Sequence, residues 1–398
     1  MISVHEALSL VRENVHPLKP VRLPLAEAGG LILAEDVDAV FDIPAYPQSS
    51  MDGYAFTYDD WHSRKKLTVK GEIPAGLYNG TTLKPQQAVR IFTGAVVPEG
   101  ADTVVRQELT DVSGDRLIIR DGVITKGENV RIPGSEIKAG ETALNKDKKL
   151  SPAAMGFLAG IGIHEVLVYP KPSVSLIVTG NELQAPGRLL KKGQVYESTS
   201  FSILAVLRQL YIDQFRWVAV QDDRNQLSRA LLSALAESDL VMLAGGVSVG
   251  DYDYVPEVLS SCGVKTIFHK VRQKPGKPLF FGRKDEKIIF GLPGNPSSVL
   301  TCFYEYVLMA AEILSNERDT IKNTEAVMAE DYIKNPELTY FLKGYLDGNR
   351  VTPLGAQESY RMRTYAEANC LIRMEEGVTE YKTGEKVEVQ IFLNNLMR

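Results

Sequence analysis

"YPKPSVSLIVTG", Tyr169 to Gly180, is where the chain changes texture. Two prolines stiffen the approach, and a continuous apolar run follows that ends on glycine. That is the pattern of a strand buried on both faces of a parallel sheet. Helical and strand patterns then alternate. "SFSILAVLRQLY" (200–211) reads as helix, "FRWVAVQDD" (215–223) as strand, "QLSRALLSALAES" (226–238) as helix and "DLVMLAGG" (239–246) as strand. "YVPEVLSSCG" (254–263) is helix, "KTIFHKV" (265–271) and "KIIFGLPG" (287–294) are strands, and "PSSVLTCFYEYVLMAAEIL" (296–314) is a long helix. Such alternation makes a doubly wound α/β domain.

Upstream and downstream the patterns differ. "MISVHEALSLVRENVHPLKP" (1–20) is an amphipathic helix pattern running to about Pro17. Short alternating runs broken by Gly, Pro and Asp fill residues 41–140, the texture of a β domain. Ser151 opens a further helix, "SPAAMGFLAGIG", with Ser as N-cap and Pro in the first turn. Beyond Asn323, short runs such as "YFLKGYL" and "KVEVQIFL" predict a small β domain.

Composition narrows the function. At 398 residues the chain exceeds one core. Its net charge of −5 argues against a nucleic-acid partner, so an anionic ligand needs a local basic site. Cys262, Cys302 and Cys370 are widely spaced, which suggests neither disulfides nor a thiolate metal site and fits a reducing compartment. The first helix lacks a signal-type apolar core and no window approaches a membrane span, so a cytoplasmic protein without membrane partners is expected. His5, His16, His62, His164 and His269 stand apart without zinc spacing, and His269 reads as a strand residue.

In a doubly wound sheet, ligands bind beyond the carboxyl ends of the strands. Those positions hold Asn181 and Glu182, then Asp222 and Asp223, then "VSVGDYD", then "RQKPGKPLFFG" (272–282), then Asn295. "LAGGVSVGDYD" exposes backbone around Gly245, Gly246 and Gly250 with Ser248 between, without the spacing of a P-loop or a GxGxxG turn. It reads equally as a tight strand-to-helix turn, and Asp253 equally as a helix cap. Glu182, Asp222 and Asp253 suit a hard cation such as Mg²⁺, although surface loops are rich in acids anyway. Lys274 and Lys277 each precede a proline and flank Gly276. The prolines preset the backbone under two positive charges, an arrangement that serves a multiply charged anion or merely a turn. Ser248 and Ser297 are not in a nucleophile elbow. Asp52 in "PQSSMDGYAF" and Thr93 in "VRIFTGAVVPEG" sit in bends.

"PQSSMDGYA", "RIFTGAVVPEGADTVV", "TGNEL", "GGVSVGDYD", "KPGKP" and "GLPGNPSS" occur together in this order. In that order the chain resembles the molybdopterin molybdenumtransferases, bacterial relatives of the gephyrin E-domain. The resemblance spans nearly the whole chain. It implies a multidomain α/β protein with a discontinuous linking domain (1–40 and 141–170) and an inserted β domain carrying "MDGYA" (41–140). A doubly wound, MogA-like molybdopterin-binding α/β domain (171–322) and a C-terminal β-barrel (323–398) complete it. It implies a homodimer whose cleft lies between the doubly wound domain of one subunit and the "MDGYA" domain of the other.

The implied reaction takes adenylylated molybdopterin and molybdate to molybdenum cofactor and AMP with Mg²⁺, and a molybdopterin adenylyltransferase is a possible delivery partner. Carried over, Asp52, Thr93, Asp253, Lys274 and Lys277 are the catalytic set. Glu182, Asp222 and Asp253 are the metal set. Gly245, Gly246, Ser248, Gly250, Pro293, Asn295, Pro296 and Ser297 contact the pterin nucleotide. After "GQV" the family usually shows Asp-Ser-Asn, whereas this chain has Glu197-Ser198-Thr199. Glu136 stands where the family tends to carry an acid. The alternatives are an adenylyltransferase, which needs neither "PQSSMDGYA" nor the last β domain, a non-catalytic gephyrin-like scaffold, and a general Mg²⁺-dependent nucleotide hydrolase.

Overall fold

The computed structural model describes residues 1–78, 80–120, 124–247, 254–318, 320 and 322–393. The chain forms two compact units, Arg22–Val168 and the combination of Met1–Val21 with Tyr169–Arg398.

In the larger unit, the expected strand Val174–Thr179 lies inside a six-stranded sheet. It pairs in parallel with Phe215–Val220 on one side and Leu240–Ala244 on the other, and the latter pairs in parallel with Lys287–Leu292. Every residue of Val174–Thr179 is buried, and the hydroxyl of Ser175, one of its two polar residues, pairs with that of Ser238 at 2.7 Å. Helices Thr199–Gln209, Arg224–Glu237 and Val255–Ser261 cover the sheet. The sheet ends in the expected strand Lys265–His269 and, between it and Lys287–Leu292, a strand that the sequence patterns did not mark. Phe280–Lys284 runs antiparallel to Lys287–Leu292 and to Lys265–His269. Its two bulky aromatics are followed by Gly282 and then by the charged residues 283–287, so its alternation is too short to register as periodic.

The N-terminal helix Val4–Asn14, capped by Ser3, buries Val4, Ala7, Leu8 and Val11 in the core that also holds Leu176 and Met242. The helix from Pro296 to Leu314 is largely apolar and largely buried, Glu305 included. Its middle, Phe303–Val307, is wound as π-helix. Thr339–Asp347, Arg350–Pro353, Lys322–Met328, Lys386–Ile391 and Cys370–Met374 close on themselves as a five-stranded barrel. The short strand Gln273–Lys274 adds to it in parallel at Thr339 and Tyr340.

In the smaller unit, a six-stranded sheet carries Gly53–Phe56 between Thr103–Arg106 and Gln87–Ile91. The helix Pro152–Gly160 starts at Ser151, whose hydroxyl accepts from Ala154 N–H at 3.2 Å. It packs in a separate core with Leu25, Leu33 and Leu150.

Candidate active site

The parallel strands of the larger unit end at a cavity of about 580 Å³. Thr179 closes the first strand and Gly180 releases it, so that Asn181 and Glu182 turn outward. Asp222, at the end of the neighbouring strand, is held by that turn. Its carboxylate accepts from Thr179 Oγ1 at 2.7 Å and from the Asn181 N–H at 3.3 Å, while its own N–H donates to Asn181 Oδ1 at 3.1 Å. Two adjacent loops are thus latched through one acid. Asp223 instead caps helix Arg224–Glu237, accepting from Gln226 N–H at 2.8 Å. Adjacent acids in the sequence therefore have separate roles.

Gly245 and Gly246 end the third strand on the same cavity. A Cβ on Gly245 would lie 2.4 Å from the Thr179 carbonyl oxygen, and its φ is +99°, so only glycine lets the two strand ends approach this closely. Asn295 and Pro296 begin the long helix at the cavity wall, and Asn295 Nδ2 donates to Ser359 Oγ at 2.9 Å. Pro293 and Ser297 are buried behind them. The Ser297 hydroxyl is buried without a hydrogen-bond partner. Ser248, Gly250 and Asp253 lie outside the described residues.

Glu197 has a definite structural part. It lines the cavity, is almost wholly buried, and accepts from Ser200 N–H at 2.8 Å and Ser200 Oγ at 2.5 Å. It therefore caps helix Thr199–Gln209 from one residue before the N-cap position. Thr199 is buried in the cavity wall beside it.

Lys274 lines a second cavity of about 380 Å³, with Tyr332, Tyr340 and Tyr360. Its ammonium sits 5.2 Å from the centre of the Tyr340 ring, a cation–π distance. Tyr360 belongs to the walls of both cavities. Its loop is drawn inward by Lys343, buried in the barrel, whose Nζ donates to the carbonyls of Ala356, Glu358 and Arg361. Burial lowers the Lys343 pKa from its ordinary value. Lys277 is exposed and lines neither of these two cavities. Nothing in the sequence pattern marked Tyr360 or Lys343, since neither stands in a glycine- or proline-bounded motif.

In the smaller unit, Asp52 and Thr93, distant in sequence, meet. Asp52 Oδ1 accepts from both Thr93 N–H and Thr93 Oγ1 at 2.8 Å each. These two bonds, with the Arg90 charge, hold the carboxyl below its usual range. The Arg90 guanidinium lies 5.1 Å from the ring centres of both Tyr54 and Phe92 and donates to Gly53 O and Gln107 Oε1. Glu136 is exposed, its backbone N–H bonded to Ile43 O at 2.9 Å. Among the described residues, no three His, Cys, Asp or Glu side chains converge as a metal cage.

Comparison with known proteins covers almost the full length. Residues 2–162 match the family model "MoeA N-terminal region (domain I and II)", 175–312 match "Probable molybdopterin binding domain", and 325–392 match "MoeA C-terminal region (domain IV)". The chain is 31% identical to a molybdopterin molybdenumtransferase of Haemophilus influenzae over 100% of both chains. It is 34% identical to one of Staphylococcus epidermidis, covering 99% of this chain and 96% of that one. The crystal structure of a molybdopterin biosynthesis MoeA protein from Pyrococcus horikosii aligns with TM-score 0.84 at 27% identity, over 98% of this chain and 99% of that one.

Proposed function

The chain belongs to the molybdopterin molybdenumtransferase (MoeA) family, and we propose that it inserts molybdate into adenylylated molybdopterin, releasing AMP and molybdenum cofactor. The observation that carries this reading is the pair of adjoining cavities sharing Tyr360. One is rimmed by carboxylates and a glycine turn, the other by a lysine and three tyrosines. The first suits a nucleotide approaching the backbone at Gly245 and Gly246, beside Asn295 and Pro296. The second suits the oxyanion and the ring system, with Lys274 in its wall offsetting negative charge, while Lys277, exposed outside it, is assigned to the anion by resemblance.

Mg²⁺ needs few protein ligands when substrate phosphates supply the rest. Glu182 and Asp222 share one cavity, and each Asp222 oxygen that accepts a protein hydrogen keeps a second lone pair. The residues therefore fit the ion, which when bound would neutralise charge on the anhydride that breaks. Asp253 belongs to this set by resemblance. Thr179 and Asn181 orient Asp222, and Glu197 fixes the helix start that forms the opposite wall.

We extend the proposal to the organisation. The four divisions given above would build a cytoplasmic homodimer, with Asp52 and Thr93 supplied by a second copy and the adenylyltransferase as donor of the substrate. The Thr93 bonds keep Asp52 anionic, as a group that orients or accepts a proton must be. The test is AMP release from adenylylated molybdopterin by the purified protein with Mg²⁺, with and without molybdate. Molybdate-dependent release with metal retained on the pterin supports the reading. A folded protein that releases no AMP overturns it in favour of a scaffold.

A further inference from the structure

The lysine loop is built on a buried polar pair that the sequence motif does not contain. Gln273, 1% exposed, points its amide into the bend. Its Nε2 donates to Pro275 O at 3.1 Å and to Gly276 O at 3.3 Å, and lies 3.6 Å from Cys302 Sγ. Its Oε1 accepts from the Tyr306 hydroxyl. Tyr306 is 0% exposed and sits in the π-wound segment of the long helix, one turn after Cys302. The Val271 N–H donates to Lys277 O at 3.0 Å and closes the bend over this amide. Burial raises the Tyr306 pKa well above its ordinary value, so the hydroxyl remains a donor.

A chain that needed only a turn here had cheaper solutions, because burying an amide and a phenol is favourable only when their hydrogen bonds are all made. π-Segments within α-helices are often found at functional sites, and this one carries the residue that holds Gln273. We propose that Tyr306 and Gln273 are positioning residues for oxyanion binding. They fix the Pro275 and Gly276 carbonyls, and through them the separation and direction of Lys274 and Lys277. The inference rests on reading those lysines as the oxyanion contact, and it assigns the geometry of that contact to two residues that touch no substrate.

The experiment compares Tyr306→Phe with the parent by calorimetric titration of the full-length protein with sodium molybdate. The substitution keeps the ring and orphans Gln273 Oε1. Molybdate affinity is expected to fall about tenfold, equivalent to about 1.4 kcal/mol. The KM for molybdate should rise in step, with kcat at saturation within about twofold of the parent. Val307→Ala, a buried truncation in the same helix, controls for general loosening and should leave affinity unchanged. Tyr306→Phe with Gln273→Met also removes the donor to the Pro275 and Gly276 carbonyls, and should recover neither thermal stability nor affinity.

The proposal is overturned if Tyr306→Phe binds molybdate as the parent does, if Val307→Ala weakens binding equally, or if the double variant regains affinity. A second arm needs no ligand. Amides of residues 270–279 should exchange hydrogen faster in Tyr306→Phe than in the parent and in Val307→Ala, and equal rates would overturn the positioning role. A parent that binds no molybdate would refute the oxyanion reading of the lysines, while the exchange arm still decides whether the pair holds the loop.

Discussion

Gly276→Ala tests whether the lysine loop is dictated by the helix beneath it. Gly276 has φ +86°, a left-handed conformation that costs an L-residue roughly 1–2 kcal/mol. Its added methyl would lie 2.4 Å from Cys302 Sγ and 2.8 Å from Gln273 Nε2, overlaps that force side chains off their minima at about 1–3 kcal/mol. The sum is a loss of about 2–5 kcal/mol. Because the chain has two tryptophans, one in each unit, a Trp61→Phe background leaves Trp217 as the sole indole. Urea unfolding followed by Trp217 fluorescence then reports the unit that carries the loop. Removing the sulfur relieves the closer overlap but not the backbone strain. Cys302→Ala should therefore reduce the loss from Gly276→Ala, with a coupling of about 1 kcal/mol or more. A loss below about 0.5 kcal/mol, the scale of an ordinary surface change, refutes the reasoning. Additive losses from the two substitutions would refute the contact with Cys302.

Asp52→Ala and Lys277→Ala, both at exposed side chains, should each lower turnover about tenfold or more with the fold retained. Parental turnover in both would remove them from the site. Asp52 has a folded pKa below its ordinary value, so the stability it contributes is present above that value and lost as pH falls through the lowered one. In Thr93→Val, ¹³C titration of the Asp52 carboxyl should show the pKa moving upward, because a hydroxyl donor to the anion is gone. An unmoved value would deny the hydroxyl's part. Burial pushes Glu305 up to about 8, against the opposing pull of Arg373. A carboxyl raised in the fold stabilises it fully below the unfolded value and loses that contribution as pH rises through about 8. Urea midpoints read by Trp217 should therefore decline from pH 5 to 8 more steeply in the parent than in Glu305→Gln. Parallel declines would refute the neutral buried carboxyl.

The larger unit was legible wherever one physical demand set the residue choice. A strand buried on both faces must be largely apolar, so Val174–Thr179, with only Ser175 and Thr179 polar, and Leu240–Ala244 could be read directly, and the expected ligand edge followed from them. By local pattern Asp52 and Thr93 stood out only as bends, and their place in the expected catalytic set came from the resemblance. Their meeting depends on the pairing of Gly53–Phe56 with Gln87–Ile91, a long-range register that local pattern does not encode. Strand Phe280–Lys284 was missed because two consecutive aromatics, a glycine and then charge give no alternation long enough to mark a strand. The departure at Glu197-Ser198-Thr199 was visible. Its effect was not, since a carboxylate that caps from before the N-cap residue is recognised only by its distances.

The least legible parts of the site share one chemistry. Lys343 reads from sequence as a surface charge and Gln273 as a loop polar group, yet both are buried, and both donate to backbone carbonyls of a loop at the site. Carbonyl oxygens in an irregular loop cannot be satisfied by a helix or sheet ladder, and leaving them buried and unpaired costs about 1–3 kcal/mol each. A long side chain that reaches several at once satisfies them and also selects one loop conformation from many. Lys274 and Tyr360, which would meet the substrate, thereby take their positions from residues that face away from it. Of these two proposed contact residues, the six sequence motifs hold Lys274 but not Tyr360. The geometry that makes those contacts useful is written one layer deeper, in Gln273, Tyr306 and Lys343, where no motif marks it.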